Sequence, residues 1–283
     1  MHIIKTSDTL KKHLIALRKE QPKVTIGFVP TMGALHQGHL SLIDASVSEN
    51  DITVCSIFVN PTQFGDAADL EKYPKPIEQD IEKLVKNDCS ILFLPSYDDV
   101  YPSDYKQMIF AIGELEHKIE GASRPGHFQG VCNVLHQLFS LISPTAAYFG
   151  QKDFQQTVVV KKLVEITDSS VKIRVVPIKR EPHGLAMSSR NVRLSAKGRQ
   201  NAAFIHRALS QTKEDLASMT VAKAVAKAKQ FINAQKGAAI DYLLAVDAKT
   251  LEEISSLDEA ENITLLTVVE YENVRLLDNI ILK

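Results

Sequence analysis

At 283 residues the chain is long enough for two domains, each burying its own core. Its 45% apolar and 24% charged residues fit an ordinary soluble globular protein, and a formal net charge of -1 gives no basic field to draw it to nucleic acid or anionic lipid. Charges break the N-terminal stretch MHIIKTSDTLKKHL too early for a signal-peptide core, and no apolar run approaches membrane-spanning length. Cys55, Cys89 and Cys132 are isolated, odd in number and set in apolar or helical surroundings, the pattern of buried reduced thiols in a cytoplasmic protein.

Leu10, Leu14 and Leu17 predict a helix over 9–19, ahead of a first sheet strand at 24–29. That strand arrives at Pro30 and leads through Thr31, Met32 and Gly33 to His36-Gln37-Gly38-His39, after which Leu40, Ile43 and Val47 predict a helix to residue 49. Strand, tight turn, helix is the order in which open α/β sheets build nucleotide sites, and the N–H groups at such a helix start suit a phosphate. The spacing of Gly33 and Gly38 is that of a P-loop, but His39 and Leu40 stand where Lys and then Ser or Thr are required. Two histidines one turn apart could also hold a metal, although no third ligand stands nearby and catalytic zinc takes three.

The near-continuous apolar run 51–59 (DITVCSIFV) predicts a strand buried on both faces of a parallel sheet, ending in the polar loop NPTQFG at 60–65. A charged loop follows, then Pro76 at the first position of a helix patterned by Ile77, Ile81, Leu84 and Val85. Residues 91–94 read as a short strand and 107–112 as another. The stretch GASRPGHFQG at 121–130 is too rich in turn residues to be regular and reads as a loop over a site, before Val131, Val134, Leu135, Leu138, Leu141 and Ile142 define a helix.

Residues 146–149 predict a strand running into Gly150-Gln151-Lys152-Asp153; a helix with Val158, Val159, Leu163 and Ile166 and a strand at 171–176 follow. Strands alternating with helices this far imply an α/β fold with a doubly wound, Rossmann-like parallel sheet over 1–177. The pattern then changes. The stretch KREPHGLAMSSRN at 179–191 has no period, Ser195 is a good N-cap for one helix through Leu209, and a second helix spans 221–234. Strands at 241–246, 263–269 and 274–282 complete a smaller α+β C-terminal domain over 178–283.

Four polar stretches could carry chemistry: HQGH at 36–39, NPTQF at 60–64, GQKD at 150–153 and MSSRN at 187–191. In a parallel sheet the first three open at one edge, and the fourth reaches them if the small domain folds over it. Lys152 and Arg190 suit phosphate, one as a point charge and one as a planar fork, with Ser188 and Ser189 as added donors. Gln63 and Gln156 offer uncharged donors and acceptors for a small polyol or carboxylate, and Arg124 is a candidate second cation.

His-x-Gly-His is similar to the signature of adenylyl-transferring enzymes, and the four motifs FVPTMGALHQGH, FVNPTQF, GQKDFQQ and GLAMSSRN, in this order and spacing, resemble the pantothenate synthetase (pantoate–β-alanine ligase) family. The likeness runs through Asn191; the C-terminal part matches in length and character. One departure is His183, where the family more often carries an acidic residue. Carried over by position, the resemblance implies an ATP site of Met32, Gly33, Ala34, Leu35, His36, Gln37, Gly38 and His39, then Gly150, Gln151, Lys152 and Asp153, a backbone contact at Lys179, and Met187, Ser188, Ser189 and Arg190. It places His39 at the catalytic position and Gln63 and Gln156 against pantoate, with Gln63 where β-alanine approaches.

The implied reaction joins D-pantoate to β-alanine with ATP and Mg²⁺ by way of a pantoyl adenylate, releasing AMP and pyrophosphate, in a cytoplasmic homodimer with no nucleic-acid or membrane partner. His36, His39, Lys152, Ser188, Ser189 and Arg190 are the expected catalytic groups. The magnesium ligands are open, with Asp80, Asp153 and the nucleotide phosphates as options. A nucleotidylyltransferase, which would keep the adenylyl group in its product, is the nearest alternative. A tRNA-binding relic of a synthetase is a more distant one, opposed by the near-neutral charge.

Overall fold

The computed structural model describes residues 1–65 and 70–283. They form two compact units, one of residues 1–150 and 159–176, the other of residues 151–158 and 177–283. In the first, β1 (His2–Ile4), β2 (Ile26–Thr31), β3 (Ile52–Ile57), β4 (Ile91–Phe93), β5 (Ala146–Gly150) and β6 (Lys172–Val176) make a parallel sheet in the order β1-β4-β3-β2-β5-β6. The connecting helices are α1 (Ser7–Glu20), α2 (Gln37–Glu49), α3 (Ile77–Lys86), α4 (His127–Ile142) and α5 (Phe154–Ile166).

Successive strand residues feed opposite cores. Phe28 and Val54 join Leu10, Leu14 and Leu138 of α1 and α4, whereas Val29 and Cys55 join Ile43 and Leu84 of α2 and α3. This two-sided burial is why β3 reads as an unbroken apolar run, and it bears out the doubly wound α/β expectation.

Pro30 lies within β2, a central strand, where a missing N–H would usually cost a ladder bond. Thr25 and Thr31 offer their carbonyls to Ile52 and Phe58 on the β3 side, and Ile26 offers its carbonyl to Thr145 on the β5 side. Pro30 shares the parity of Ile26, so its nitrogen faces β5. Pairing of β2 with β5 ends at Phe28 and Ala147, before Pro30 is reached. The ladder between β2 and β5 thus stops two residues short of Pro30, which has no N–H to continue it, at the point where the strand order switches direction.

Several sequence expectations are corrected. The strand expected at 107–112 is irregular, because side-chain amides take the place of a neighbouring strand. Asn133 accepts from Met108 N–H at 2.9 Å and donates to Met108 C=O at 2.9 Å, and Gln129 does the same for Phe110 at 2.9 and 3.0 Å. The turn-rich stretch 121–130 is largely helical, since a short helix covers Glu120–Ser123 and α4 starts at His127. Gly130 belongs to α4 not as a breaker but for close approach: a Cβ there would lie 2.3 Å from the Thr62 carbonyl oxygen. The edge strand β1, three residues long, is too short to show a period in the sequence.

The second unit pairs β7 (Ala238–Asp247), β8 (Ile263–Tyr271) and β9 (Val274–Ile281) in an antiparallel sheet with β8 central. The helices α6 (Phe204–Asp215) and α7 (Val221–Asn233) share its core through Leu209, Ile232, Leu243 and Leu265. The single helix expected from Ser195 to Leu209 is broken, running over Ala196–Asn201 and restarting at Phe204. The break allows consecutive residues 202–205 all to be buried, which one face of a straight helix cannot do. Among the described residues no helix is long and apolar enough to cross a membrane.

All three thiols are free and buried. Burial pushes Cys55 well above the usual thiol range, Cys89 up to about 11 and Cys132 up to about 12. They should therefore resist a thiol-disulfide reagent at pH 8 in the folded protein and react together only in denaturant, as followed by absorbance. Gly130→Ala should lower the unfolding free energy in urea by roughly 1–3 kcal/mol through overpacking against the Thr62 carbonyl; parental stability would show that the helix–loop contact yields.

Candidate active site

The loop after β2 is held in a conformation that its own residues do not favour. Gly33 has φ +82° and Ala34, which has a Cβ, φ +51°. Asp80 of α3, fully buried, compensates: its carboxylate accepts from Ala34 N–H at 2.7 Å and from Leu35 N–H at 2.8 Å. Lys83, one turn on, donates to the Leu35 carbonyl at 2.7 Å. A Cβ on Gly33 would meet Ile57 Cγ2 at 3.0 Å and Asp80 Oδ2 at 3.2 Å, so the turn needs glycine for space as well as for φ. Asp80 is thus corrected from a possible magnesium ligand to the brace of this loop, both its oxygens being committed to backbone N–H groups.

The loop delivers the chain to α2, where the two histidines cap the helix reciprocally. Gly38 N–H donates to His36 Nδ1 at 3.1 Å and His36 N–H donates to His39 Nδ1 at 3.3 Å, with ring centroids 4.1 Å apart. This is the geometry of a capping box with imidazoles in place of a hydroxyl and a carboxylate. Since both Nδ1 atoms accept, each neutral ring carries its proton on Nε2 and presents that atom as a donor. Imidazole N–H groups beside the positive end of a helix are chemistry that suits an anion.

The loop after β3 meets the first at the same sheet edge. Gln63 Nε2 lies 3.0 Å from Met32 Sδ, while Gln63 Oε1 accepts from Asn60 Nδ2 at 3.3 Å. The amide is therefore oriented with its NH₂ end toward the β2 loop. Asn60, 1% exposed, also donates to Gly130 C=O at 3.2 Å and accepts from the Tyr101 hydroxyl at 3.1 Å, the phenol pushed up to about 12 by burial. Arg124, expected as a second cation, reaches the Gln63 carbonyl at 3.4 Å and His127 Nε2 at 3.1 Å, and so braces this loop.

In the second unit the remaining candidates are gathered on a shared support. Lys152 Nζ is 2.9 Å from Asp153 Oδ1, and Gln156 is half-buried in the first turns of α5. Residues 179–187 form a narrow hairpin in which Met187 N–H donates to Lys179 C=O at 3.0 Å, so the backbone of Lys179 faces that of Met187. Ser188 caps the turn that follows, its Oγ accepting from Arg190 N–H at 3.2 Å. Asn191, 2% exposed, closes the loop by donating to Ala186 C=O at 3.0 Å. His183, the one departure in the motif, reaches the Arg199 carbonyl at 2.8 Å through Nε2.

Comparison with known proteins places the chain in a family. The Pantoate-beta-alanine ligase family model matches residues 2–281. The chain belongs to the pantoate–β-alanine ligase family. Pantothenate synthetase from Bacteroides thetaiotaomicron is 43% identical over 99% of this chain and 98% of its own length, and that from Cytophaga hutchinsonii 44% identical over 96% of each. The crystal structure of pantothenate synthetase from Thermus thermophilus superposes with a TM-score of 0.92 at 37% identity, covering 99% of both chains. Pantoate-beta-alanine ligase from Francisella tularensis, solved with beta-gamma ATP and beta-alanine, gives a TM-score of 0.81 at 35% identity, covering 99% of this chain and 97% of its own.

Within this family framework, three supporting residues lie outside what the motifs reveal. Asp80 reads in the sequence only as a possible metal ligand, since an acid in the first turn of an amphipathic helix is otherwise unremarkable in pattern. Asp278 and Asn279 sit in the apolar run LLDNII, and a charge and an amide interrupting such a strand are the available signal. Asp80→Asn should leave one loop N–H facing an amide NH₂ and lower stability by about 1–3 kcal/mol. Chemical denaturation should read this as a lower midpoint with an unchanged slope.

Proposed function

We propose that this member of the pantoate–β-alanine ligase family condenses D-pantoate with β-alanine at the expense of ATP, through a pantoyl adenylate. The observation that carries the reading is the family match over residues 2–281, supported by the Francisella tularensis relative solved with beta-gamma ATP and beta-alanine. The pantoate carboxylate is ionised at neutral pH, so its attack on the α-phosphorus needs alignment rather than a general base. One carboxylate oxygen forms the new P–O bond, the bond to the bridging oxygen breaks, and pyrophosphate departs with the electron pair.

ATP is assigned to Met32, Gly33, Ala34, Leu35, His36, Gln37, Gly38 and His39, to Gly150, Gln151, Lys152 and Asp153, to the Lys179 backbone, and to Met187, Ser188, Ser189 and Arg190. His36 and His39 act as Nε2–H donors to phosphate oxygens, a role supported by reciprocal caps that occupy both Nδ1 atoms. Lys152, Ser188, Ser189 and Arg190 supply charge and hydrogen bonds as negative charge develops. Gln63 and Gln156 take pantoate; Gln63 does so through the second N–H of the amide whose first meets Met32 Sδ and whose oxygen Asn60 binds.

In the second step the neutral amine of β-alanine attacks the acyl carbon, the C–O bond to phosphate breaks with its electron pair leaving on AMP, and the nitrogen gives up one proton to solvent. Among the described residues no trio of His, Cys, Asp or Glu is gathered to hold a metal. The donor set fits a magnesium ion held mainly by phosphate oxygens and water, with Asp153, paired with Lys152 at 2.9 Å, as the neighbouring carboxylate. Such an ion would supply neutralising charge to the phosphates. The same reading places the enzyme in the cytoplasm as a homodimer, on the strength of the family likeness and the three reduced thiols.

The test is pantoate-dependent exchange of labelled pyrophosphate into ATP, followed by AMP release on adding β-alanine. Without exchange, or with the adenylyl group retained in the product, the reading fails. Lys152→Ala should slow exchange by about 10²–10³-fold, the scale of one lost transition-state contact. His39→Ala should slow exchange more than it slows attack of β-alanine on preformed adenylate, as measured in single turnovers.

A further inference from the structure

The buried pair Asp278 and Asn279 in β9 has no part in the chemistry assigned above, yet it grips both nucleotide-binding segments of the second unit. Asp278 is 4% exposed and Asn279 2%, in a strand that is otherwise apolar apart from Arg275. Both ends of the Asn279 side chain are engaged: its two N–H groups donate to the Gln151 and Lys152 carbonyls, both at 3.0 Å, and its oxygen accepts from Gln151 Nε2 at 3.0 Å. Two carbonyls facing one nitrogen fix the orientation of the amide.

Asp278 holds the other segment. Its carboxylate takes Arg180 as a bidentate pair at 2.7 and 2.8 Å, and the same guanidinium donates to the Gly184 carbonyl at 3.1 Å and the Asn279 carbonyl at 3.4 Å. Arg180 and Gly184 lie in the hairpin that leads into Met187, Ser188, Ser189 and Arg190. Asn279 N–H in turn donates to Asp278 Oδ1 at 2.7 Å, joining the two grips into one network. A single step of strand thus sets the backbone of Lys152 relative to the segment carrying Arg190.

We propose that Asp278 and Asn279 are positioning residues for adenylate formation, fixing the separation of the two cationic segments that stabilise the triphosphate. The inference rests on the adenylation reading above. It goes beyond that reading in assigning catalytic importance to a C-terminal strand with none of the family's motifs. Backbone placement matters because misplacing a charge by about 1 Å can cost on the order of 10²-fold in rate.

The experiment uses the full-length protein with Asn279→Asp, which keeps the size and the acceptor for Gln151 but turns an oxygen toward two carbonyls. Pyrophosphate exchange should fall by roughly 10–10²-fold, with the loss seen in the ATP dependence. Attack of β-alanine on preformed adenylate should be little changed, a split that general loosening of the fold would not produce. Exchange at the parental rate in the folded variant, or equal loss in both half-reactions, overturns the proposal. If thermal melting shows that Asn279→Asp does not fold, Asn279→Ser, which keeps one donor, is read by the same two outcomes. Lack of exchange in the unsubstituted protein would overturn the adenylation reading and this proposal with it, whereas normal exchange with an unaffected variant overturns the proposal alone.

Discussion

The buried Asp80 carboxylate is the constraint on which the first unit's site depends. Its two short hydrogen bonds to Ala34 and Leu35 N–H hold a turn that places an alanine at positive φ. The turn aims the chain into α2 so that His36 and His39 can cap the helix and each other. A buried carboxylate is tolerated only when its acceptor capacity is used, and here backbone donors from the loop use it, with Lys83 alongside at 3.7 Å. The bracing is mutual: the loop satisfies the charge, and the charge fixes the loop.

A second constraint comes from Pro30. A proline in a central strand is normally evidence against the strand, yet here its nitrogen faces the side on which pairing has already ended. Beyond Phe28, Pro30 gives β2 no N–H to point toward β5, so this strand leaves no donor of its own there. The loop after β3 is tied to the loop after β2 by Gln63 and Met32, and Asn60 fixes the direction of the Gln63 amide. The candidate site groups of this unit are therefore set by buried amides and backbone.

The second unit uses the same strategy with different residues. A polar pair in β9 supports the Gln151–Asp153 turn and the hairpin before Ser188, as Asp80 supports the β2 loop. In the first unit one buried polar group, and in the second a buried pair, supports segments whose own sequence is rich in turn formers. Such fully satisfied polar networks specify one backbone geometry, because every alternative leaves a buried donor or acceptor without a partner.

Strand and helix periods, the placement of His36 and His39 between them, and the four motifs were legible in the sequence, because each is a local property of spacing. They were enough for the doubly wound sheet, the α+β C-terminal part and the family. What the sequence could not decide was which partner a polar residue would find. Residues 107–112 look like a strand but are matched by Asn133 and Gln129, Gly130 looks like a turn but is a close-packing helical residue, and Asp80 looks like a metal ligand but braces a loop. Hydrophobic periodicity is written along the chain, whereas hydrogen-bond partners separated by 46 residues, as Ala34 and Asp80 are, are brought together only by folding.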